Sequence, residues 1–223
     1  MHRLIVIVLI TLLGAPVFGV ETPPAEDEKT LHAVGLIVSR QLLEFNLSPA
    51  ELKVVQQGIS DGIYGTKAES EIDAYKEKVQ ELSRARIRQQ VEKKAPLYRE
   101  YLKKAAMEKG AVKTGSGLIY IPLNEGSGTC PGPRDTVKVN YLGKLPDGME
   151  FDSTHKRGMT AEFRLDGVIA CWKEGLQKIK PGGKAKLVCP ANLAYGETGV
   201  SNVIPPSCPL TFEVELLEVK SNK

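Results

Sequence analysis

Between Val137 and Leu216 hydrophobic and polar residues alternate in short runs. Val137, Val139 and Tyr141 are separated by Lys138 and Asn140, and Leu210, Phe212, Val214 and Leu216 by Thr211, Glu213 and Glu215. A period of two puts the apolar side chains of a run on one face and predicts strands that bury that face. Lys184 to Cys189 is a third such run, and Pro146-Asp147-Gly148 is a turn signal between two strands. One helix interrupts them: Trp172, Leu176 and Ile179 share a helical face, and Pro181-Gly182-Gly183 stops it. This half of the chain predicts an α+β domain, an antiparallel sheet folded over one short helix.

Upstream the spacing becomes that of helices. Leu31 to Phe45 is apolar-rich with few breakers, and Asn46-Leu47 makes a break. Ser48 as cap, Pro49 in the first helical position and Glu51 three residues after the cap spell a helix start. Leu52, Val55, Ile59 and Ile63 then share one face, and Gly62 and Gly65 mark the end. Ile72, Tyr75, Val79 and Leu82 begin a stripe that shifts to Ile87 and Val91. So narrow a stripe on a charged helix needs a partner to cover it. Pro96 is expected to break or kink this helix after Ala95. Leu97, Tyr98, Tyr101, Leu102 and Ala105 resume it, Gly110 ends it, and Thr114-Gly115-Ser116-Gly117 is hinge-like. The expected organisation is an all-α region over 31–111 with a long connecting helix, then the α+β domain over 112–223.

The first thirty residues stand apart. Met1-His2-Arg3 is a short basic start, Leu4 to Leu13 is apolar except for Thr11, and small residues follow to Gly19. This is the layout of a secretory signal peptide over 1–19, its apolar run too short for a comfortable span of about 20 residues. An uncleaved inner-membrane anchor is the alternative. Residues 20–30, polar and proline-bearing, are expected to form a disordered leader. The destination so implied is periplasmic or secreted. Cys130, Cys171, Cys189 and Cys208 then meet an oxidising compartment. Disulfides and free buried thiols are both open at this point.

Composition narrows the chemistry. Of 223 residues 42% are hydrophobic and 26% charged, with a net charge of +3, a balance that calls for no nucleic-acid partner. Arg84, Arg86, Arg88, Lys93 and Lys94 form a basic run, but Glu81, Glu92 and Glu100 are interspersed and the run reads as a solvated helix face. The histidines are His2, His32 and His155, no serine sits in a G-x-S-x-G elbow, and no cysteines have C-x-x-C spacing. A Ser-His-Asp triad, a metal site and a phosphate-cradling loop are therefore disfavoured, and no cofactor is expected.

What remains is a dense series of aromatic, glycine and proline signals. Val139-Asn140-Tyr141-Leu142-Gly143, Asp147-Gly148, Phe151-Asp152-Ser153, Arg157-Gly158, Phe163, Val168-Ile169, Trp172, Glu174-Gly175-Leu176, Gly183, Ala194-Tyr195-Gly196, Ile204-Pro205-Pro206 and Phe212-Glu213-Val214-Glu215-Leu216 follow one another in order. This series resembles the FKBP-type peptidyl-prolyl cis-trans isomerases over about Leu118 to Lys220. Residues 31–110, through Gly35 to Gln41, Gln57-Gly58-Ile59-Ser60-Asp61 and the charged helix, are similar to the helical domain of macrophage infectivity potentiator and related exported bacterial members.

The resemblance implies a half-barrel sheet wrapped on the short helix. It implies a homodimer joined through the N-terminal helices, proline-containing polypeptides as substrates and macrolides as inhibitors. It implies Trp172 as the floor of a proline pocket, with Tyr141, Phe151, Phe163, Val168, Ile169 and Phe212 lining it and Ile204 covering one edge. Asp152 then sits at the rim, Tyr195 and the Ile169 N–H donate to substrate carbonyls, and Arg157 pairs with Asp152 or holds its loop. Taken singly, Trp172, Phe151, Tyr141 and Phe212 read as core, Asp152 as a turn residue and Pro205-Pro206 as a stiff loop. Two departures stand out. Cys171 occupies the place of a glycine usual before the tryptophan, and Cys189 is expected near it, so a Cys171–Cys189 bridge is an expectation from the family fold. Ala161 stands where some relatives carry an aromatic residue. A dimeric chaperone that holds unfolded chains in the same cleft is the competing function.

Overall fold

The computed structural model describes residues 24–65, 72–200 and 203–221. The expected signal peptide lies outside them. Helix α1 runs Ala25–Leu42 and passes through a 3-10 turn at Leu43–Phe45 to Asn46, whose φ of 46° reverses the chain at the predicted break. The polar stretch expected as a disordered leader is thus helical from Ala25. Glu26, Asp27 and Glu28 fill its first turn, where acidic side chains meet the positive end of the helix dipole.

Helix α2 (Pro49–Ile63) begins with the predicted capping box. The Glu51 N–H donates to Ser48 Oγ at 3.3 Å and the Ser48 N–H to Glu51 Oε2 at 2.8 Å. Helix α3 (Lys76–Ala106) contains Pro96 without ending there, so of the expected break or kink the break does not occur. The proline removes one backbone donor, but side chains on its C-terminal side are held by the sheet. Ala105 is buried with Ile119, Ile121 and Val188, and Tyr101 and Leu102 pack beside them. Tyr101 Oη and Thr211 Oγ1 lie 2.5 Å apart. The helix stops at Ala106, short of Gly110.

The remaining chain forms β1 (Val112–Lys113), β2 (Ile119–Asn124), β3 (Thr136–Lys144), β4 (Glu150–Ser153), α4 (Thr154–Arg157), β5 (Ala161–Arg164), α5 (Ala170–Leu176), β6 (Lys184–Cys189) and β7 (Leu210–Lys220). The strands make one antiparallel sheet in the order β1-β2-β6-β7-β3-β4, with β5 also pairing β3. The fold is α+β, as the alternation predicts. Val137, Val139, Leu187, Val214 and Leu216 point to one face and enclose Leu176 of α5. Contacts divide the chain between Val38 and Ser39. The change from helix to strand, by contrast, falls between Ala106 and Val112, where α3 packs on the sheet.

Candidate active site

Register decides which side chains meet. Tyr141 on β3 lies opposite Val214 on β7, and Gly143 opposite Phe212. Positions two apart on a strand share a face, so Tyr141 and Phe212 lie on the same face of the sheet while Gly143 leaves a gap between them. Phe151 of β4 fills that gap: a Cβ built at Gly143 would lie 2.6 Å from Phe151 Cζ. Strand β5 adds Phe163 beside Tyr141, with ring centroids 6.2 Å apart.

Trp172, in the first turn of α5, sits among these rings. Its centroid is 4.9 Å from Tyr141, 5.4 Å from Phe163 and 5.3 Å from Phe212, at interplanar angles of 87°, 90° and 84°. Phe151 meets Phe212 edge-on at 5.6 Å. Edge-to-face packing sets the positive rim of one ring against the negative face of the next. The indole is only 5% exposed, and its buried Nε1–H has no acceptor among the described residues. Among the described residues packing and backbone position orient the ring. Val168 and Ile169 precede α5, half-buried against the same core. Ile169 is the N-cap without a side-chain cap, and none of the described residues accepts from its N–H. Ile204 is buried and joined to Val200 by two backbone hydrogen bonds of 2.9 Å.

A polar cluster borders the rings. Tyr141 Oη donates to Asp152 Oδ2, and the Arg157 guanidinium binds Asp152 Oδ1. Arg157 Nη2 also donates to Tyr141 Oη at 2.9 Å, and the guanidinium carbon lies 5.3 Å from that ring's centroid. Local sequence turns Arg157 back. Ser153 Oγ caps the one-turn helix α4 by accepting from the His155 and Lys156 N–H groups, at 3.2 and 3.4 Å. Gly158 ends the helix at a φ of 68°. Thr154, buried, clamps α4 to β3: its Oγ1 accepts from the Tyr141 N–H at 2.9 Å and donates to the Tyr141 carbonyl at 3.2 Å.

Burial pushes the Tyr141 phenol above its usual range, its bond to Asp152 adds to this, and Arg157 opposes it. Burial also raises the Tyr195 phenol, and the Asp152 charge raises it further. At neutral pH both phenols are proton donors. Tyr195 is 38% exposed, beyond the 3-10 turn Ala191–Leu193 that leaves β6. The site is therefore a cluster of packed rings with a fixed carboxylate at its border, and among the described residues none in it has the geometry of an activated nucleophile.

Of the residues singled out from the sequence, Tyr141, Phe151, Phe163, Val168, Ile169, Trp172, Ile204 and Phe212 share one cluster, Asp152 and Arg157 border it through Tyr141, and among the described residues Tyr195 is linked to them only through the charge of Asp152. The roles of Tyr141 as a donor to Asp152, of Thr154 as a clamp and of Gly143 as the space for Phe151 were not legible beforehand. The Ser153-Thr154 pair after Asp152, typical of a helix start, is the signal that points to the first two. Cys171 and Cys189 form a disulfide with Cα atoms 5.7 Å apart, within the usual range. Cys130 and Cys208 are free.

Residues 128–217 match the model of the FKBP-type peptidyl-prolyl cis-trans isomerases, and residues 27–121 match that of the domain amino terminal to FKBP-type peptidyl-prolyl isomerase. The chain is 38% identical over 208 residues to the FKBP-type isomerase FkpA of Escherichia coli strain K12, covering 87% of this chain and 76% of that protein. It is 38% identical over 196 residues to the FKBP-type 22 kDa isomerase of the same strain, covering 86% and 95%. The crystal structure of FkpA from Escherichia coli matches with a TM-score of 0.66 at 37% identity, covering 87% of this chain and 97% of that one.

Proposed function

Because the chain belongs to the FKBP-type peptidyl-prolyl cis-trans isomerases, we propose that the hollow around Trp172 accepts the proline of an X–Pro bond and speeds its rotation without covalent chemistry. Resonance gives the amide a barrier of about 18–20 kcal/mol, and uncatalysed exchange takes tens to hundreds of seconds. The twisted amide has lost resonance, so its nitrogen is more basic and its carbonyl less polar. A dry, apolar hollow disfavours the charge-separated planar form relative to the twist. Trp172, Tyr141, Phe151, Phe163, Val168 and Phe212 take the ring, and Ile204 closes one edge. The Tyr195 hydroxyl and the Ile169 N–H orient substrate carbonyls. Asp152, fixed by Tyr141 and Arg157, faces the twisting amide.

The observation that carries this reading is the set of rings edge-on to Trp172 beside an anchored carboxylate. Exchange of a short X–Pro peptide by the purified chain tests it. Acceleration that a family macrolide abolishes is expected, and exchange no faster than in buffer ends the isomerase reading.

Two extensions rest on the helices. Leu31, Val34 and Ile37 of α1 are exposed in the single chain, and so, separately, are Ile59 and Ile63 of α2; apolar side chains of this kind on each helix suit a second copy, so the working form is a homodimer. The mass of the full chain in solution decides between one copy and two. The same exposed side chains favour a second activity, holding unfolded chains, which suppression of aggregation of a proline-free client measures. The expected clients are proteins exported to the periplasm or beyond. No helix of the described residues is long and apolar enough to cross a membrane.

A further inference from the structure

Helix α5 has seven residues and no side-chain cap on its first turn. Helices this short are marginal by themselves, so its position comes from what it touches. It touches β6 at two points. A Cβ built at Gly175 would lie 2.7 Å from Leu187 Cδ1, so helix and strand are in close contact there. One turn earlier Cys171 is bonded to Cys189. Four residues of helix rise about 6 Å and two residues of strand about 6.7 Å, so the Gly175–Leu187 and Cys171–Cys189 contacts match in spacing and lay the helix along the strand. Both cysteines are fully buried in the cluster that contains Trp172.

The bond joins two sides of the hollow. On one side are Trp172, next to Cys171, and the Ile169 N–H two residues before it. On the other, Cys189 ends β6, pinned in register opposite Leu210, and the chain runs on through Pro190 and Ala191–Leu193 to Tyr195. Trp172 has no hydrogen bond of its own to hold it among the described residues. We infer that the Cys171–Cys189 disulfide is a positioning pair for the isomerase site, fixing the uncapped first turn of α5, and with it the Trp172 ring and the Ile169 donor, against the strand that leads to Tyr195. The inference rests on the isomerase reading and adds a covalent determinant of its geometry.

The full chain carries one tryptophan, so indole emission reports on Trp172 alone. The test compares oxidised protein, the same protein under dithiothreitol, and a Cys171→Ala/Cys189→Ala variant, with Cys130→Ala as the thiol control. Dithiothreitol gives two electrons and two protons to the disulfide, leaving two thiols, and closes to its own cyclic disulfide. With far-UV circular dichroism retained, kcat on an X–Pro peptide is expected to fall by about tenfold to a hundredfold, the upper end being the scale of a 1 Å misplacement, with KM nearly unchanged. The Trp172 emission is expected to shift to the red. An unchanged kcat, an unmoved emission maximum, a loss confined to KM, or loss of the fold in both the reduced and the variant protein overturns the inference. Oxidised protein that is inactive from the start overturns the isomerase reading instead, and the two failures are distinguishable.

Discussion

The phenol of Tyr141 donates its hydrogen to the carboxylate of Asp152 at the border of the ring-lined hollow. Tyr141 thus serves the site twice, its ring against Trp172 and its hydroxyl on the carboxylate. Arg157 closes the triangle by reaching both groups.

Asp152→Ala is expected to lower kcat/KM for an X–Pro peptide by about tenfold to a hundredfold, the equivalent of about 1.5–3 kcal/mol of charge-assisted hydrogen bonding. The ion pair to Arg157 is partly exposed, its side chains 41% and 38% accessible, so its loss changes stability little. Peptide kinetics with a parallel thermal melt check both parts. Activity equal to the parent would remove Asp152 from the mechanism.

Gly143→Ala places a methyl group 2.6 Å from Phe151 Cζ, and the Phe151 ring has to shift. Overpacking of this kind destabilises by about 1–3 kcal/mol. KM for a prolyl peptide is expected to rise more than kcat falls, because Phe151 belongs to the ring cluster proposed to take the proline. Phe151→Leu in the same background should recover part of the stability, measured by urea denaturation.

Burial, reinforced by the Cys208 thiol, pushes the Tyr98 phenol well above its ordinary 10.0. A folded pKa above the unfolded one means that the native state holds the proton more tightly. Its contribution is complete below about pH 10 and is lost as pH rises through the folded value. Urea midpoints measured from neutral to strongly alkaline pH should fall above that point, with a shallower decline in Tyr98→Phe. An equal decline in both proteins would place the effect elsewhere, among Tyr120, Tyr141 and Tyr195, which are raised too.

Glu51 is held below its ordinary 4.5, first by the Ser48 N–H and hydroxyl and then by Arg86 of α3. A depressed folded value stabilises above the unfolded pKa, and that stability is lost as pH falls through the folded one. The thermal midpoint should therefore drop on acidification below about pH 4.5, less steeply in Glu51→Gln. Ser48→Ala should cost about 1 kcal/mol at neutral pH by removing the cap. Circular dichroism melts read both.

Local spacing alone determined the strands at Val137–Tyr141 and Leu210–Leu216 and the Ser48–Glu51 cap. Each depends on residues two or three positions apart, whose geometry the backbone period dictates. The ordered series from Val139 to Leu216 was likewise enough to point to the family and to list the rings. Contacts between distant segments had no such signature. The Tyr141–Asp152–Arg157 triangle requires β4 and α4 to fold back on β3, and the nest around Trp172 draws rings from β3, β5 and β7. The cysteine pairing, which spacing left open and only the family resemblance pointed to, and the passage of α3 through Pro96 were decided in the same way. A disulfide forms where packing brings two sulfurs together, and a helix outlasts its proline when the turns beyond it, at Tyr101 and Ala105, are held by a sheet the helix pattern does not mention. Periodicity is a property of neighbouring residues, whereas these features come from the register and packing of segments that only the folded chain brings together.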